Sequence, residues 1–207
     1  MKESKNKIID NLFSKNEYTE ISNIARVLGG KRIPKGLSFS PNKTDYPYIR
    51  VSDFKNGTVD LNSLKYIEED VFQQIKNYII TKEDIYISIA GTIGLVGIIP
   101  EILNRKSLTE NAAKIVITEK DLISKEFLYY CLISENLQNQ IEDNTRAVGV
   151  PKLALKRIET LKIPLPPLSE QQKIVSEIEK IETKINALET EIAEIPKQKK
   201  AILKKYL

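Results

Sequence analysis

Few side chains in this sequence could carry out covalent chemistry. The chain has 207 residues, no histidine and a single cysteine, Cys131. Catalytic triads with a histidine base, histidine-ligated zinc and HExxH motifs are therefore excluded, and one cysteine makes neither a paired-cysteine metal site nor an internal disulfide. Cys131 falls in an apolar helical pattern, which predicts a buried thiol rather than a reactive one. No spacing singles out a pair of carboxylates, so we expect no catalytic residues, metal or cofactor.

The basic side chains are placed where they could bind an anion. The formal net charge is +4 and the pI is near 8.9, which permits an anionic partner without demanding one. Lys31, Arg32 and Lys35 lie together in the run GGKRIPKG, whose glycines and proline predict a loop. From Ser169 onward, eight lysines nearly balance seven glutamates. We therefore expect any polyanion to be held by local basic clusters and not by a large basic face.

The elements that must position these loops are short helices and short strands. The predicted helices are 17–28, 68–76, 124–139 and 151–159, and the predicted strands are 48–51, 85–89, 95–99, 113–117 and 161–163. Asn56-Gly57 predicts a hairpin turn. Gly91 and Gly94 predict a tight turn between two strands, with a phosphate-binding loop as the alternative. The mixture indicates an α+β domain over residues 1–165, with a mixed or antiparallel sheet and short helices.

A long coiled-coil helix is predicted for residues 166–207. Pro164, Pro166 and Pro167 stiffen the chain before it, and Ser169 with Gln172 matches a capping box at a helix start. Pro196 is expected to kink or interrupt the helix. Apolar residues recur at alternating steps of four and three, the 3.5-residue period of a coiled coil. We call these positions the seam: Ile174, Ile178, Ile181, Ile185, Leu188, Ile192 and Ile195, with Ile202 beyond the proline.

The seam needs a second helix against it, and the sequence contains only one such helix. We expect the partner to come from another chain, although the stripe could instead pack on the domain of its own chain. Residues 177–194 are mainly acidic and residues 197–205 are basic. Antiparallel pairing of two copies would set opposite charges side by side. The predicted assembly is therefore a homodimer through antiparallel C-terminal helices.

The hydropathy of the chain carries no membrane or export signal. No apolar run approaches the roughly 20 residues that a membrane span needs, and residues 1–18 lack the apolar segment of a signal peptide. With the single cysteine, this predicts a protein of the reducing cytoplasm that has no membrane partner.

A family resemblance is carried by residues 148–175, VGVPKLALKRIETLKIPLPPLSEQQKIV. This run resembles the junction between a target recognition domain and a conserved spacer helix in specificity subunits of Type I restriction–modification systems, and its core IPLPPLSEQ is highly specific for that family. Further matches are GGKRIPKG, YIRVSDFKNG, DIYISIAGTIG and LTENAAKI, so the resemblance spans nearly the whole chain. Typical members carry two such domains and two antiparallel helices, whereas this sequence has one of each and is similar to a half-subunit.

The resemblance implies that the domain reads one half of an interrupted target in double-stranded DNA, and that paired helices set the gap between the halves. It implies that methyltransferase and restriction subunits bind the chain and supply the catalysis. The partner of the helix would be a second copy or another half-subunit. The alternative is a remnant or interaction protein that binds the methyltransferase subunit and modulates assembly without DNA specificity of its own.

Loop residues of the types that read bases and bind phosphates are the candidates for DNA contacts. Arg, Lys and Asn side chains suit base edges, whereas phosphates need only charge or N–H groups. Recognition residues in the family vary with the target, so these positions come from residue type and loop placement. The predicted DNA-binding residues are Lys31, Arg32, Lys35, Arg50, Ser52, Arg105, Lys106, Asn111, Arg146 and Lys152.

Overall fold

The structure is a computed structural model that describes residues 9–11, 17–145 and 151–206, with side chains of the last helix described as far as Pro196 and at Lys199. The strands are β1 (Tyr18–Glu20), β2 (Ala25–Gly29), β3 (Pro47–Ile49), β4 (Phe54–Lys55), β5 (Thr58–Val59), β6 (Lys65–Tyr66), β7 (Ile79–Ile80), β8 (Ile85–Ser88), β9 (Val96–Ile98), β10 (Lys106–Leu108), β11 (Ala112–Ile117) and β12 (Lys162–Pro164). The helices are α1 (Glu69–Ile75), α2 (Lys125–Ile133), α3 (Glu135–Thr145), α4 (Leu155–Glu159) and α5 (Leu168–Tyr206).

The first sheet is antiparallel, with strand order β2-β11-β8-β9. Along β2, Ala25 and Val27 are buried while Arg26 and Leu28 are exposed. The helix predicted for residues 17–28 is therefore wrong. Pairing with β11 supplies the backbone hydrogen bonds that a helix would make internally, and burial with a period of two overrides the helical spacing of the apolar residues.

The second sheet is mixed, with strand order β6-β3-β10-β7. β3 and β10 run parallel, and the other two pairs are antiparallel. A buried cluster joins the two sheets and includes Ile49 of β3, Ile80 of β7, Tyr86 of β8 and Leu108 of β10. The predicted α+β fold with mixed and antiparallel sheets is thus confirmed. The cluster packs against β3 and β10, which pair with each other in the sheet.

Both predicted turns form where the glycines were expected. Asn56 and Gly57 have φ of 51° and 75° between β4 and β5, the backbone that favours an Asn-Gly pair. Between β8 and β9, Gly91 and Gly94 have φ of 75° and 85°. The Gly94 N–H donates to the Ser88 carbonyl at 3.1 Å, which makes this segment a closed turn between paired strands.

The single helix predicted for residues 124–139 is divided at Ser134 into α2 and α3. The Ser134 hydroxyl donates to the Cys131 carbonyl at 2.7 Å and accepts from the Leu137 N–H at 3.3 Å. One side chain thus ends one helix and caps the next, which is the local competition that serine offers the helical backbone. Cys131 is buried as predicted, and burial raises the pKa of its thiol.

The predicted bounds of the last two helices also change. α4 begins at Leu155 and not at Pro151, because the preceding residues extend along the sheet, where Leu153 N–H donates to the Ile89 carbonyl at 2.9 Å. α5 begins at Leu168, so Ser169 lies inside the first turn and the predicted capping box is wrong. The helix also continues through Pro196, which contradicts the predicted interruption.

The base of α5 belongs to the core of the domain. Ile174 and Ile178 are buried in the same cluster as Phe127 and Leu128 of α2. Farther along, Tyr130 donates to Glu182 Oε2 at 2.9 Å. At 1.5 Å per residue the 39-residue helix is about 58 Å long. Its N-terminal part packs on the domain, and most of the helix extends beyond the domain. No helix of the described ranges is both long enough and apolar enough to cross a membrane.

Candidate nucleic-acid interface

Three loops meet at one edge of the second sheet. Parallel strands β3 and β10 leave the sheet at the same end, so residues 50–52 and 109–111 emerge side by side. The loop after β2 joins them, because Gly30 N–H donates to the Ala112 carbonyl and Lys31 N–H to the Leu108 carbonyl, at 3.0 and 2.9 Å. A Cβ atom at Gly30 would collide with the backbone carbonyls of Leu108 and Thr109, so this close approach requires glycine.

The three loops enclose an open cleft of about 620 Å³. Five of the ten predicted DNA-binding residues line it, although they come from three separate parts of the sequence: Arg32, Lys35, Arg50, Ser52 and Asn111. Leu37 and Phe39 add exposed apolar surface to the same wall. The cleft therefore presents guanidinium, ammonium, amide and hydroxyl groups beside apolar surface, which is the mixture that base edges and phosphates contact.

Glu110 lies at the centre of a hydrogen-bonded network in this cleft. Arg32 Nε donates to Glu110 Oε1 at 2.6 Å, and Thr109 Oγ1 donates to Oε2 at 3.0 Å. Tyr48 Oη donates to the Lys31 carbonyl at 2.7 Å and lies 3.3 Å from Glu110 Oε2. Neither Glu110 nor Tyr48 was among the predicted DNA-binding residues. Glu110 stands within the LTENAAKI match, but no spacing marked it, because Arg32 and Tyr48 are distant from it in the sequence and only Thr109 is adjacent.

The network sets the charges of its members. Burial raises the pKa of Glu110, but hydrogen bonds from Arg32, the backbone and Thr109 outweigh it, so the pKa lies below its ordinary value. Burial raises the pKa of Tyr48 to about 12. At neutral pH the cleft thus contains a fixed carboxylate and a neutral phenol next to an exposed arginine.

Arg50 is engaged with its own loop. Its Nε and Nη2 donate to the two carboxylate oxygens of Asp53, at 3.1 and 2.7 Å, and Nη2 also donates to the Ser63 carbonyl at 2.7 Å. Asp53 is fully buried, so this bidentate pair holds the turn after β3. Within the cleft, the guanidinium carbon lies 5.8 Å from the centre of the Phe39 ring. Arg50 therefore shapes the wall of the cleft.

The other predicted positions lie outside the cleft. Lys31 adjoins it, but its Nζ lies 5.3 Å from the centre of the Tyr78 ring. Arg105 is exposed in a turn with a positive φ of 62°, and Lys106 Nζ donates to the Asp45 carbonyl at 3.0 Å. Lys152 is exposed and forms an isolated β-bridge with Ala90. Arg146 lies outside the described residues.

The seam divides into a buried part and an exposed part. Ile174 and Ile178 are in the core of the domain, so the prediction that they face a partner is corrected. Ile181 and Ile185 are half-buried, whereas Leu188, Ile192 and Ile195 are 42%, 63% and 55% exposed. The side chain of Ile202 is not among those described. Own-domain packing therefore accounts for the start of the stripe, and the apolar surface that is open to a partner begins farther along α5.

Comparison with known proteins places these features in a family context. The family model described as "Type I restriction modification DNA specificity domain" matches residues 14–197. The Type I restriction enzyme EcoBI specificity subunit of Escherichia coli is 35% identical over 127 residues, which are 61% of this chain and 26% of that protein. The putative MjaX specificity subunit of Methanocaldococcus jannaschii is 25% identical over 194 residues, 91% of this chain and 44% of that protein. The chain spans less than half the length of these curated relatives.

Solved structures share the fold. A structure described as the basis of complex assembly and conformational transition of the type I R-M system superposes with a TM-score of 0.66 and 17% identity, covering 86% of this chain and 41% of that one. The HsdS subunit from Thermoanaerobacter tengcongensis gives a TM-score of 0.58 with 16% identity, covering 84% of this chain and 39% of that one.

Proposed function

The chain belongs to the Type I restriction modification DNA specificity domain family, and from that membership we propose that it reads one half of a bipartite DNA target for a restriction–modification complex. The observation that carries the proposal is the cleft, where Arg32, Lys35, Ser52 and Asn111 converge from three loops. Positive and amide side chains grouped in one concavity are suited to a duplex, because cations bind phosphates and amide or guanidinium groups read base edges.

The proposed role of this chain in DNA recognition is non-catalytic. Methylation of a base requires the base to leave the stack and enter a separate active site. This chain would hold and align the duplex, while methyltransferase and restriction subunits, whose partnership with the chain is part of the proposal, would supply methyl transfer and cleavage. The proposed setting is the cytoplasm.

The exposed end of the seam supports pairing with a second helix. Leu188, Ile192 and Ile195 form a stripe of apolar side chains that is exposed to solvent. Exposed apolar surface of this kind is typical of a contact with another protein. The occupant that we propose is an antiparallel second copy, or the helix of another half-subunit, because the acidic residues 177–194 would then lie beside the basic residues 197–205. The two clefts would be held at a fixed separation, so each assembly would read two half-sites at a set spacing.

Selection from a random DNA library tests the proposed function. The full chain, assembled with a related methyltransferase subunit, is expected to enrich one half-site motif. The variant Arg32→Ala/Lys35→Ala should lose that enrichment. The matched control is Lys55→Ala/Lys82→Ala, which also removes two exposed cations, each paired on the surface with an acidic residue outside the cleft.

The outcomes separate the two candidate functions. A motif that depends on the cleft variant but not on the control supports DNA reading. An assembled complex that enriches no motif contradicts it and favours a protein that modulates assembly of the methyltransferase without DNA specificity.

A further inference from the structure

Glu110 is a negative charge placed inside a cleft for a polyanion. Its side chain is 27% exposed and lines the cleft beside Arg32. A phosphate that approached Arg32 would also meet this carboxylate, and the repulsion would weaken binding that depends on charge alone. A carboxylate in this place therefore opposes generic DNA binding unless the DNA offers it a hydrogen-bond donor.

The Arg32–Glu110 pair is oriented but retains hydrogen-bonding capacity. An ionised carboxylate has about four acceptor sites. Arg32, Thr109 and a backbone N–H donate to Glu110, whereas the single proton of Tyr48 is donated to the Lys31 carbonyl, so the carboxylate can accept one more donor. A guanidinium has five N–H groups, and only Nε of Arg32 is bound to Glu110. The Arg32 side chain remains 77% exposed. The pair thus displays N–H donors directly beside a carboxylate acceptor.

One base-pair edge matches this arrangement. In the major groove, guanine presents two acceptors, N7 and O6, and the cytosine paired with it presents the N4 amino donor beside them. Arginine favours guanine and glutamate favours the cytosine amino group, so a single G·C pair satisfies both residues. Adenine carries an amino group where guanine carries O6, and thymine carries a carbonyl that a carboxylate repels.

We propose that the Arg32–Glu110 ion pair reads one G·C base pair of the half-site, with Arg32 donating to guanine and Glu110 accepting from the N4 amino group of cytosine. This inference rests on the proposed function and adds its specificity. Thr109 acts as a positioning residue, because its hydroxyl donates to Glu110 Oε2 at 3.0 Å and orients the carboxylate in the cleft.

The test uses the half-site motif that the wild-type complex selects. Each cytosine of that half-site is replaced in turn by pyrimidin-2-one, which lacks the 4-amino group, and affinities are compared by competition. At one position, wild type should lose about 10-fold in affinity, within the range for one base contact. Because the analogue also weakens base pairing, the loss is compared with that of Glu110→Ala, which should show much less at this position only.

Two control variants distinguish a lost base contact from misfolding and from a general change in charge. Glu101→Ala removes a carboxylate that is paired with Lys82 outside the cleft, at 2.6 Å, and should retain the wild-type loss. Glu110→Gln keeps the shape of the side chain, and its amide can donate or accept, so it should discriminate less strongly than wild type against thymine, while Arg32 still disfavours the adenine on the other strand.

Four results would contradict one of the two proposals. If the wild-type complex selects no motif, the proposed function itself is contradicted. A motif without a specified G·C pair overturns only the inference about Arg32 and Glu110. The same holds if wild type and Glu110→Ala lose affinity equally at every cytosine, or if Glu110→Gln discriminates as wild type does.

Discussion

Gln171 of α5 accepts a hydrogen bond from the backbone N–H of Ser124, at 3.0 Å between Oε1 and N. Its Nε2 donates to the carbonyls of Leu122 and Pro166, each at 2.8 Å. Gln171 is fully buried, so one amide ties the start of the long helix to the residue that caps α2. The direction in which α5 leaves the domain is therefore fixed by a buried polar contact as well as by Ile174 and Ile178.

Gln171→Ala is expected to destabilise the domain. The substitution removes the partner of a buried carbonyl, that of Pro166, and of two partly buried backbone groups, those of Leu122 and Ser124, and each unsatisfied buried group costs about 1–3 kcal/mol. We expect a loss of about 3 kcal/mol in the free energy of unfolding, measured by urea denaturation. Gln172→Ala, at the exposed neighbouring position, should change stability little. Equal stability of the two variants would show that the amide does not anchor the helix.

Substitutions along the seam should separate assembly from folding. Leu188→Lys/Ile192→Lys places charges on the exposed stripe and should convert a dimer to a monomer in size-exclusion light scattering, while the melting temperature of the domain stays the same. Ile178→Lys buries a charge in the core and should unfold the domain. A dimer that persists in the first variant would refute pairing through this stripe.

Loss of cations from the cleft should change the salt dependence of DNA binding. Each phosphate contact contributes about 0.9 to the slope of log K against log salt concentration. Because Arg32 is assigned to a guanine, Lys35 is the phosphate contact that this variant loses, and Arg32→Ala/Lys35→Ala should reduce that slope by roughly 0.9, measured by fluorescence anisotropy between low and physiological salt. Lys55→Ala/Lys82→Ala should leave it unchanged. If the cleft variant keeps the wild-type slope, these residues contact no phosphate.

Acid should remove the stabilising contribution of Glu110. Its pKa is lower in the folded protein than its ordinary value, so the contribution is present above the unfolded-state pKa of about 4.3 and is lost as the pH falls through the folded pKa. The difference in unfolding free energy between wild type and Glu110→Gln should be largest near pH 7 and shrink below about pH 4.5. A difference that grows on acidification would mean that the pKa is raised.

Patterns that depend on local spacing were predicted well. The 3.5-residue period indicated α5, and the glycines at 57, 91 and 94 marked turns with positive φ. Loop placement also identified five residues that line the cleft, because segments that connect strands lie on the surface and carry binding residues. These features follow from a few neighbouring residues, so the sequence contains the information that they require.

Features that depend on distant partners were not predicted. β2 has helical spacing, and only the neighbouring β11 makes it a strand. Ile174 and Ile178 share the period of the exposed seam, and only the position of α2 decides that they are buried. Glu110 has no local motif, since Arg32 reaches it from the loop after β2 and Tyr48 from strand β3. The role of each was decided by tertiary packing.

A base-resolution methylome tests the central claim most directly. Cells express a related methyltransferase subunit with this chain, with its Arg32→Ala/Lys35→Ala variant, or alone. The account predicts a new interrupted motif that appears only with the wild-type chain, and a palindromic motif if two identical copies do the reading. If the methyltransferase assembles with the chain but modifies no new motif, or modifies the same motif with the cleft variant, the cleft does not specify the target and the account is contradicted.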